Sequence, residues 1–343
     1  MTVELTALAE LEPALADEGF FGRDEVVARV YIAYGASDVL RRTETPAPPE
    51  PCALPVVAYS IEPAQSAMPS PGPYTVGPWR TSWSESEYAE AVDAVRAAIA
   101  EGDVYQVNLV QHLSADFDGD PFGLAQALAP LRPLEPRPLA GDGWAIVSAS
   151  PELLLSRRGS RIRTSPIKGT RPAGVPVESE KDTAEHVMIV DLERNDLARV
   201  ARPGSVRWPE LLVERELAGV RHLVATVEAE LRDGVTLTEL LDAVLPGGSV
   251  TGCPKIAALD LIAQLEPVGR GAAMGALGCI HPNGDVELAL TIRTFAVADG
   301  AIHLWVGGGI VWDSDPAEEV EESWVKARPL LAAIGAPLAA PVS

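Results

Sequence analysis

The sequence has few cysteines, no long apolar run and few positive charges for its size. Its three cysteines are too few and too scattered for a disulfide framework or a zinc site. No stretch is long and apolar enough to span a membrane. Residues 1–4, Met-Thr-Val-Glu, lack the basic start and apolar run of a signal peptide. These absences predict a protein of the reducing cytoplasm.

Acidic residues dominate the charge balance. The 343 residues carry a formal net charge of −22, which argues against nucleic acid and anionic membrane surfaces as partners. Apolar residues make up 47% of the chain, enough for a large core in one extended domain or two. A protein this acidic must supply local positive charge if its ligand is an anion.

Proline divides the N-terminal quarter from the rest. A helical stretch, Leu5–Leu15, and a strand-like one, Val26–Tyr34, precede residues 45–78, where repeated prolines exclude a continuous helix. We therefore expect residues 1–78 to form a short N-terminal segment with a proline-rich linker, packed on a main domain over residues 79–335. In that domain a capping box at Ser84 begins a helix that Gly102 ends.

Alternating strands and hairpin turns favour antiparallel sheets. The strand Val104–Leu113 places Gln106, Asn108 and His112 on one face. Such a polar face is either solvated or lines a site. A long strand is predicted over Val286–Val297, followed by a turn at 299–300 and a further strand.

A hairpin brings a carboxylate close to a lysine. Residues 153–164 read as two strands joined by a turn at 157–160, and their pairing places Glu152 roughly opposite Ser165. In the following stretch, Ser-Pro-Ile-Lys-Gly-Thr, proline precedes Lys168 and glycine follows it. The backbone of Lys168 is therefore fixed and open to close approach of a ligand. An ordinary surface lysine at a strand end is the alternative.

Two helices carry carboxylates spaced three residues apart. Asp182 and Glu185 form the first pair, and Glu319 and Glu322 form the second, on a helix that begins after Asp315 as N-cap and a proline at its first position. From the residues alone, each pair is either a solvated helix face or half of a cation site.

Three further features could serve an anionic ligand. Arg293 lies in an apolar run and needs a partner, either a structural carboxylate or one from a ligand. The glycines 307–309 allow a ligand to approach the backbone. The glycine-rich loop 246–255 precedes a helix, where N–H groups can face an anion, but its spacing is not that of a nucleotide-binding motif.

Taken in order over Trp79–Leu331, these motifs resemble the chorismate-utilising enzymes that form the first component of anthranilate synthase and of aminodeoxychorismate synthase. The resemblance implies an α+β fold of large antiparallel β-sheets packed as a sandwich with outer helices. Pro-Ile-Lys-Gly-Thr is the form seen in aminodeoxychorismate synthases, whereas anthranilate synthases have alanine where this chain has Lys168. Isochorismate and salicylate synthases carry a lysine at the position of Gln106 to activate water, so Gln106 argues against those reactions.

The same resemblance implies a role for each candidate residue. Lys168 is the nucleophile, and Glu152 exchanges protons with it or with the departing hydroxyl. Burial or a metal charge has to lower the pKa of Lys168 for that work. Mg²⁺ is bound by Glu185 and Glu322, with Asp182 and Glu319 as outer or water-mediated partners. The implied contacts to substrate come from His222, Thr251, Arg293, Gly307, Gly308, Gly309, Gln106 and Thr170.

The expected reaction replaces the 4-hydroxyl of chorismate by ammonia to give 4-amino-4-deoxychorismate, a precursor of 4-aminobenzoate and folate. No cysteine has the glycine-flanked setting of a glutaminase nucleophile, and Ser343 follows soon after the last carboxylate helix, so we expect a separate glutaminase subunit to supply the ammonia. Anthranilate synthase is one alternative. An inactive paralogue acting as a binding subunit is another, supported by Ala273, where the family has tyrosine, and by the short N-terminal region.

Overall fold

The structure, a computed structural model, describes residues 1–172, 180–217 and 220–336, without the side chains of 170–172, 180–182, 216, 217, 220 and 221. In these ranges no helix is long and apolar enough to cross a membrane. Its helices are α1 Leu11–Asp17, α2 Glu85–Glu101, α3 Pro121–Leu128, α4 Glu180–Ala198, α5 Leu237–Val244, α6 Lys255–Leu265 and α7 Pro316–Ala333.

Two large sheets, antiparallel at every pairing, form the centre of the fold, as the sequence predicted. The first sheet has ten strands in the order β1-β3-β2-β15-β16-β9-β10-β13-β11, with β12 also on β13. Its strands are β1 Val3–Leu5, β2 Val26–Ile32, β3 Val57–Pro63, β9 Leu153–Arg158, β10 Arg161–Ser165, β11 Ile167–Pro172, β12 Arg207–Leu217, β13 Val220–Glu230, β15 Ala276–Ile280 and β16 Val286–Leu290.

The second sheet has eight strands in the order β14-β6-β18-β17-β8-β7, with β4 and β5 also paired to β6. The sheets share the main apolar cluster, which contains Leu288 of the first and Ala296 of the second. Helices α3 and α7 cover the second sheet through another cluster. The strands of this sheet are β4 Tyr74–Val76, β5 Arg80–Thr81, β6 Gln106–Gly119, β7 Leu139–Ala140, β8 Trp144–Ser148, β14 Gly252–Cys253, β17 Thr294–Ala298 and β18 Ala301–Ile310.

The N-terminal residues extend the first sheet. Strand β2 pairs along its whole length with β3 and through Ala28–Ile32 with β15, so β1 to β3 continue the sheet built by the later part of the chain. The proline-rich stretch contributes β3 and β4 and no helix. The helix expected over Leu5–Leu15 begins only at Leu11, because Leu5 belongs to β1.

Local signals at helix ends and hairpins agree with the structure. Ser84 and Glu87 form the capping box of α2, and Gly102 ends this helix in the left-handed region. The Asp315 side chain accepts hydrogen bonds from the first amides of α7. The β9–β10 hairpin places Ser165 opposite Leu153, one residue from the position expected for Glu152.

The long strand predicted over Val286–Val297 is wrong. It is two strands, β16 and β17, and they belong to different sheets. Arg293 lies between them with φ of 51°, a left-handed conformation that breaks an extended strand. Both halves are buried, so the apolar pattern runs through the break and does not reveal it. The chain crosses from one sheet to the other at this residue.

Candidate active site

A cavity of about 760 Å³ opens where β11, β18, the loop before α6 and the first turns of α7 meet. Its volume is in the range of small-molecule sites. Most of its charged lining consists of the residues singled out from the sequence. That lining is Glu152, Lys168, Glu185, His222, Arg293, Glu318, Glu319, Glu321, Glu322 and Lys326.

Lys168 projects into this cavity from β11. Its Nζ donates to Glu185 Oε1 at 2.7 Å and lies 3.4 Å from the Ser249 carbonyl oxygen. Gly169 follows at φ +61°, and the pairing with β13 shifts register here, so the backbone bends directly after the lysine. Burial lowers the pKa of Lys168, but the charges of Glu185 and of further carboxylates outweigh burial and raise it above its ordinary value. In this structure Lys168 is protonated at neutral pH.

Glu152 is a buried carboxyl group in the same cavity. It accepts a hydrogen bond of 2.6 Å from Ser249 Oγ, and only 3% of the residue is exposed. Burial raises the pKa of Glu152 to about 7, against the opposing effect of the Ser249 hydrogen bond and of the charges of Lys168 and Arg293. A carboxyl that titrates near neutral pH is suited to both giving and accepting a proton.

Gln106 shares the carboxylate oxygen that binds Lys168. Its Nε2 donates to Glu185 Oε1 at 2.6 Å, and its own Oε1 is buried without a partner in the described part of the chain. Gly309 lies directly beneath, since a Cβ there would overlap both Gln106 Nε2 and Glu185 Oε1. Gln106 on the polar face of β6 is therefore buried against the site, and a side chain at 309 would displace Gln106 and Glu185 from these positions.

The two acidic residues of α7 face the neighbouring glycine. A Cβ on Gly308 would lie 3.2 Å from Glu319 Oε2 and 3.2 Å from Glu322 Oε1, so both carboxylates reach the same stretch of β18. Lys326 pairs with Glu322 at 2.7 Å and donates to the Gly307 carbonyl oxygen at 2.6 Å. The helix thus supplies two carboxylates and one ammonium group to the cavity wall.

These carboxylates suit a hard divalent cation in donor type. Glu185, Glu319 and Glu322 all line the cavity, and carboxylate oxygens are the protein ligands that Mg²⁺ takes. Among the described residues, no three acidic, histidine or cysteine side chains already form a compact metal cluster. Glu185 and Glu322 are paired with lysines, so an ion would replace ammonium groups.

Arg293 and His222 are neighbours in the cavity lining. Burial, with the nearby Arg293 charge, lowers the pKa of His222 to about 4, so its ring is neutral. His222 Nδ1 lies 2.8 Å from the Gly169 carbonyl oxygen and donates to it, which leaves Nε2 as acceptor for Arg293 at 3.4 Å. Within the described ranges no carboxylate lies at ion-pair distance from Arg293. The sequence analysis considered a structural carboxylate as the partner of Arg293, and these ranges contain none at that distance. The Arg293 guanidinium instead lines the cavity.

For four other residues named from the sequence, the structure shows no side chain in the cavity lining. Thr251 is buried outside the described cavity lining, and its hydroxyl donates to the Gly247 carbonyl oxygen at 2.9 Å. Ala273, where the resemblance expects tyrosine, is also buried away from the described lining. The side chains of Thr170 and Asp182 lie outside the described residues.

Several site residues were missed by the sequence analysis. Ser249 holds Glu152, but a serine in a glycine-rich loop carries no distinctive signal. Lys326 looked like an ordinary partner of Glu322 one helical turn away. Outside the cavity lining, Glu193 accepts from Thr164 Oγ1 at 2.7 Å, and burial together with the Glu152 charge raises its pKa to about 8.

Comparison with known proteins identifies the family of this site. The sequence profile of the family described as chorismate binding enzyme matches residues 38–332. The chain belongs to the chorismate-binding enzymes. It is 44% identical over 271 residues to anthranilate synthase component 1 of Thermus thermophilus, covering 75% of this chain and 58% of the relative. It is 41% identical over 268 residues to aminodeoxychorismate synthase component 1 of Klebsiella aerogenes, covering 74% and 59%.

The fold agrees with that assignment. The crystal structure of anthranilate synthase component I from Streptococcus pneumoniae superposes with a TM-score of 0.77 at 25% identity, over 89% of this chain and 80% of that one.

The chain spans about three fifths of the length of the Thermus and Klebsiella relatives. Relatives with two different reaction names match at similar identity, so overall similarity does not choose between the reactions.

The raised pKa of Glu152 predicts a pH-dependent change in stability. Its folded pKa of about 7 lies above the ordinary value of 4.5, so its stabilising contribution is complete below pH 4.5 and is lost as pH rises through 7. Glu152→Gln cannot ionise. Its melting temperature minus that of wild type should therefore become more positive between about pH 5 and pH 8.

Thermal denaturation across that range, with Glu321→Gln as control, measures this difference. Glu321 is exposed and has a pKa lowered by Arg328, so its variant should show a flat difference above pH 5. A constant difference for Glu152→Gln would contradict a raised pKa at this carboxyl.

Proposed function

We propose that this chain binds chorismate and replaces its 4-hydroxyl by ammonia, giving 4-amino-4-deoxychorismate for 4-aminobenzoate and folate synthesis. The observation that carries the proposal is Lys168, which reaches into the cavity beside Glu152 and Glu185. Aminodeoxychorismate synthases have lysine in this motif, and anthranilate synthases have alanine there. Both reactions begin from the same substrate, so this side chain separates them.

Cationic and N–H groups of the cavity receive the dicarboxylate substrate. Arg293 lines the cavity and has no carboxylate partner among the described residues, so a substrate carboxylate would complete its ion pair. Gly307 and Gly309 also line the cavity and permit close approach to the backbone of β18. Lys326, on the adjoining helix, adds a further positive charge.

Lys168 and Glu152 perform the covalent chemistry. The neutral amine of Lys168 attacks C2 of the ring, both conjugated ring double bonds shift by one position, and the C4–O bond breaks. Glu152, protonated at that moment, gives its proton to the departing hydroxyl, which leaves as water. Ammonia then forms a bond to C4, both double bonds shift back, and the C2–N bond breaks. The proton lost by the new amine returns to Lys168 or Glu152.

Mg²⁺ held by Glu185 and Glu322, with Glu319 and Asp182 as outer partners, fits this scheme. When bound, the ion neutralises carboxylates that raise the pKa of Lys168 and supplies positive charge for a substrate carboxylate. Without such a charge, the cavity holds more carboxylates than cationic groups, which disfavours a dianion.

The cysteines support a separate source of ammonia. A glutaminase nucleophile needs a lowered thiol pKa. Burial raises the pKa of Cys52 to about 12 and that of Cys279 to about 11, and it also raises that of Cys253. None of the three is an activated thiolate, so a glutaminase subunit is the partner that we propose.

Two other functions fit the chain less well. Anthranilate synthase is favoured by the 44% identity to the Thermus relative but requires loss of pyruvate from the aminated intermediate, a path that a lysine at 168 opposes. An inactive binding subunit gains no support from the cavity, because Lys168, Glu152 and Glu185 all line it.

The product identifies the reaction. Incubated with chorismate, Mg²⁺ and ammonia, the protein should give a product with the mass of aminodeoxychorismate and no pyruvate. Lys168→Ala should keep its fold and lose about 100-fold or more in rate, because the covalent path is removed. Mass spectrometry and single-turnover kinetics measure both. Anthranilate and pyruvate from wild type, or full activity of the variant with the same product, would exclude this mechanism.

The carboxylate pair predicts dependence on a divalent cation. Glu185→Gln and Glu322→Gln should each raise the Mg²⁺ concentration needed for half-maximal activity by about tenfold or more, because a charged ligand is lost. Glu318→Gln is the matched control, since Glu318 lines the cavity from the same helix but is not an expected ligand. Undiminished turnover in excess EDTA would rule the metal out.

The nitrogen source gives a separate prediction. The isolated chain should use ammonium salts, with a rate that follows free NH₃ as pH rises, and should make almost no product from glutamine. Addition of a glutaminase component of aminodeoxychorismate synthase should restore the use of glutamine. A rate assay with both nitrogen sources tests this, and efficient turnover of glutamine by the isolated chain would contradict it.

A further inference from the structure

We propose that Glu193 is a positioning residue that, as a neutral acid, holds the strand end carrying Glu152 through Thr164, a role that rests on the proposed function. Glu193 projects from α4, is only 5% exposed and is not among the described lining residues of the cavity. Its Oε2 lies 2.7 Å from Thr164 Oγ1. Thr164 Oγ1 lies in turn 3.4 Å from the carbonyl oxygen of Leu153, the residue directly after Glu152.

These contacts fall at an irregular point of strand β9. The register between β9 and β10 shifts between Arg163 and Ser165, so Thr164 lies at a break in this ladder. The pairing of β9 with β16 also shifts within the first residues of β9. Irregularities of this kind next to a site redirect side chains and interrupt the ladder of backbone hydrogen bonds. The Thr164 hydroxyl reaches the Leu153 carbonyl oxygen at this break, so it fastens the strand end that carries Glu152.

Glu193 also packs against the second support of Glu152. A Cβ on Gly248 would lie 3.5 Å from Glu193 Cγ, so the Glu193 side chain lies against the glycine-rich loop before α6. Ser249 follows Gly248 in this loop, and its hydroxyl donates to Glu152 at 2.6 Å. The strand end and the loop that hold Glu152 are therefore both in contact with groups next to Glu193.

The number of protons in the link from Glu193 through Thr164 to Leu153 favours a neutral Glu193. A hydroxyl has one proton, so beside a Glu193 carboxylate Thr164 can donate either to that carboxylate or to the Leu153 carbonyl oxygen. A protonated Glu193 instead donates to Thr164, which leaves the Thr164 proton for Leu153. The neutral acid therefore completes both hydrogen bonds of the link, and the carboxylate completes one.

The surrounding charges agree with a neutral Glu193. Lys255, the cation whose charge acts on Glu193, donates to Asp196 at 2.6 Å. Burial raises the pKa of Glu193 to about 8, with the charges of Glu152 and Asp196 adding to burial and the Thr164 hydrogen bond and Lys255 opposing it. The acid form therefore prevails at neutral pH, and it adds no second negative charge near Glu152.

The first test compares two substitutions of Glu193. Glu193→Met has a similar size but no polar end, so kcat should fall about tenfold or more while KM for chorismate changes little, because Glu152 is displaced and no substrate contact is lost. Glu193→Gln cannot ionise and keeps a donor for Thr164, so it should restore most of that kcat. Asp191→Asn, at an exposed position of the same helix, is the control and should match wild type.

A double-mutant cycle tests the link itself. Thr164→Val removes the hydroxyl at nearly constant volume and should lower kcat as Glu193→Met does. Because both substitutions break one link, the combined variant should be at most about twofold slower than the slower single variant. Full kcat in both single variants, multiplied losses in the combined variant, or a Glu193→Gln variant as slow as Glu193→Met would overturn the inference.

Infrared spectroscopy reports the neutral acid directly. At pH 7 wild type should show the carbonyl band of a buried carboxylic acid that Glu193→Gln lacks, and the absence of this difference would contradict a protonated Glu193. If Glu193→Met does not fold, Thr164→Val and the infrared comparison still decide. Absence of chorismate turnover by wild type would instead reject the proposed function, and this inference with it.

Discussion

One carboxylate oxygen, Glu185 Oε1, joins three separate parts of the chain. Lys168 reaches it from the first sheet and Gln106 from the second, at 2.7 Å and 2.6 Å. Gly309 leaves room for this contact, because a Cβ there would overlap Gln106 Nε2 and Glu185 Oε1. Both hydrogen bonds stabilise this partly buried carboxylate, and the shared oxygen holds the two donor groups close together. The cavity exists in this form because helix α4 delivers Glu185 to the point where the two sheets come together.

The cavity wall of this acidic protein pairs its charges. The wall carries both signs of charge in close contact, with Lys168 on Glu185 and Lys326 on Glu322. A cation bound by Glu185 or Glu322 would exchange with a lysine that is already present. Exchange of one ion-pair partner for another avoids leaving a buried charge unpaired, which is the costly alternative.

Much of this arrangement could be predicted from local sequence signals. Turn and cap residues gave the hairpin before Lys168 and the starts of α2 and α7, because those signals act over a few residues. The antiparallel sheets followed from alternation. Glu152, Lys168, Glu185, Arg293 and Glu322 all line one cavity, as their shared resemblance to one family implied.

What the sequence did not reveal depends on contacts far apart in the chain. Ser249 binds Glu152 across 97 positions, and no local pattern encodes that pairing. The protonated state of Lys168 follows from the sum of carboxylates around it, whereas burial alone would have lowered its pKa. The role of residues 1–78 as strands of the main sheet depends on pairing between β2 and β15, which compositional boundaries do not show.

The left-handed residue between β16 and β17 has a consequence for the thermodynamics of ligand capture. Because Arg293 is the residue at which the backbone passes from one sheet to the other, the packing of both sheets fixes the position of its backbone. The spacing between the backbones of Arg293 and of Lys168, which lies on β11 of the first sheet, is thus set when the chain folds. The conformational entropy of assembling them is lost at that stage, so a ligand that bridges them pays little of it on binding.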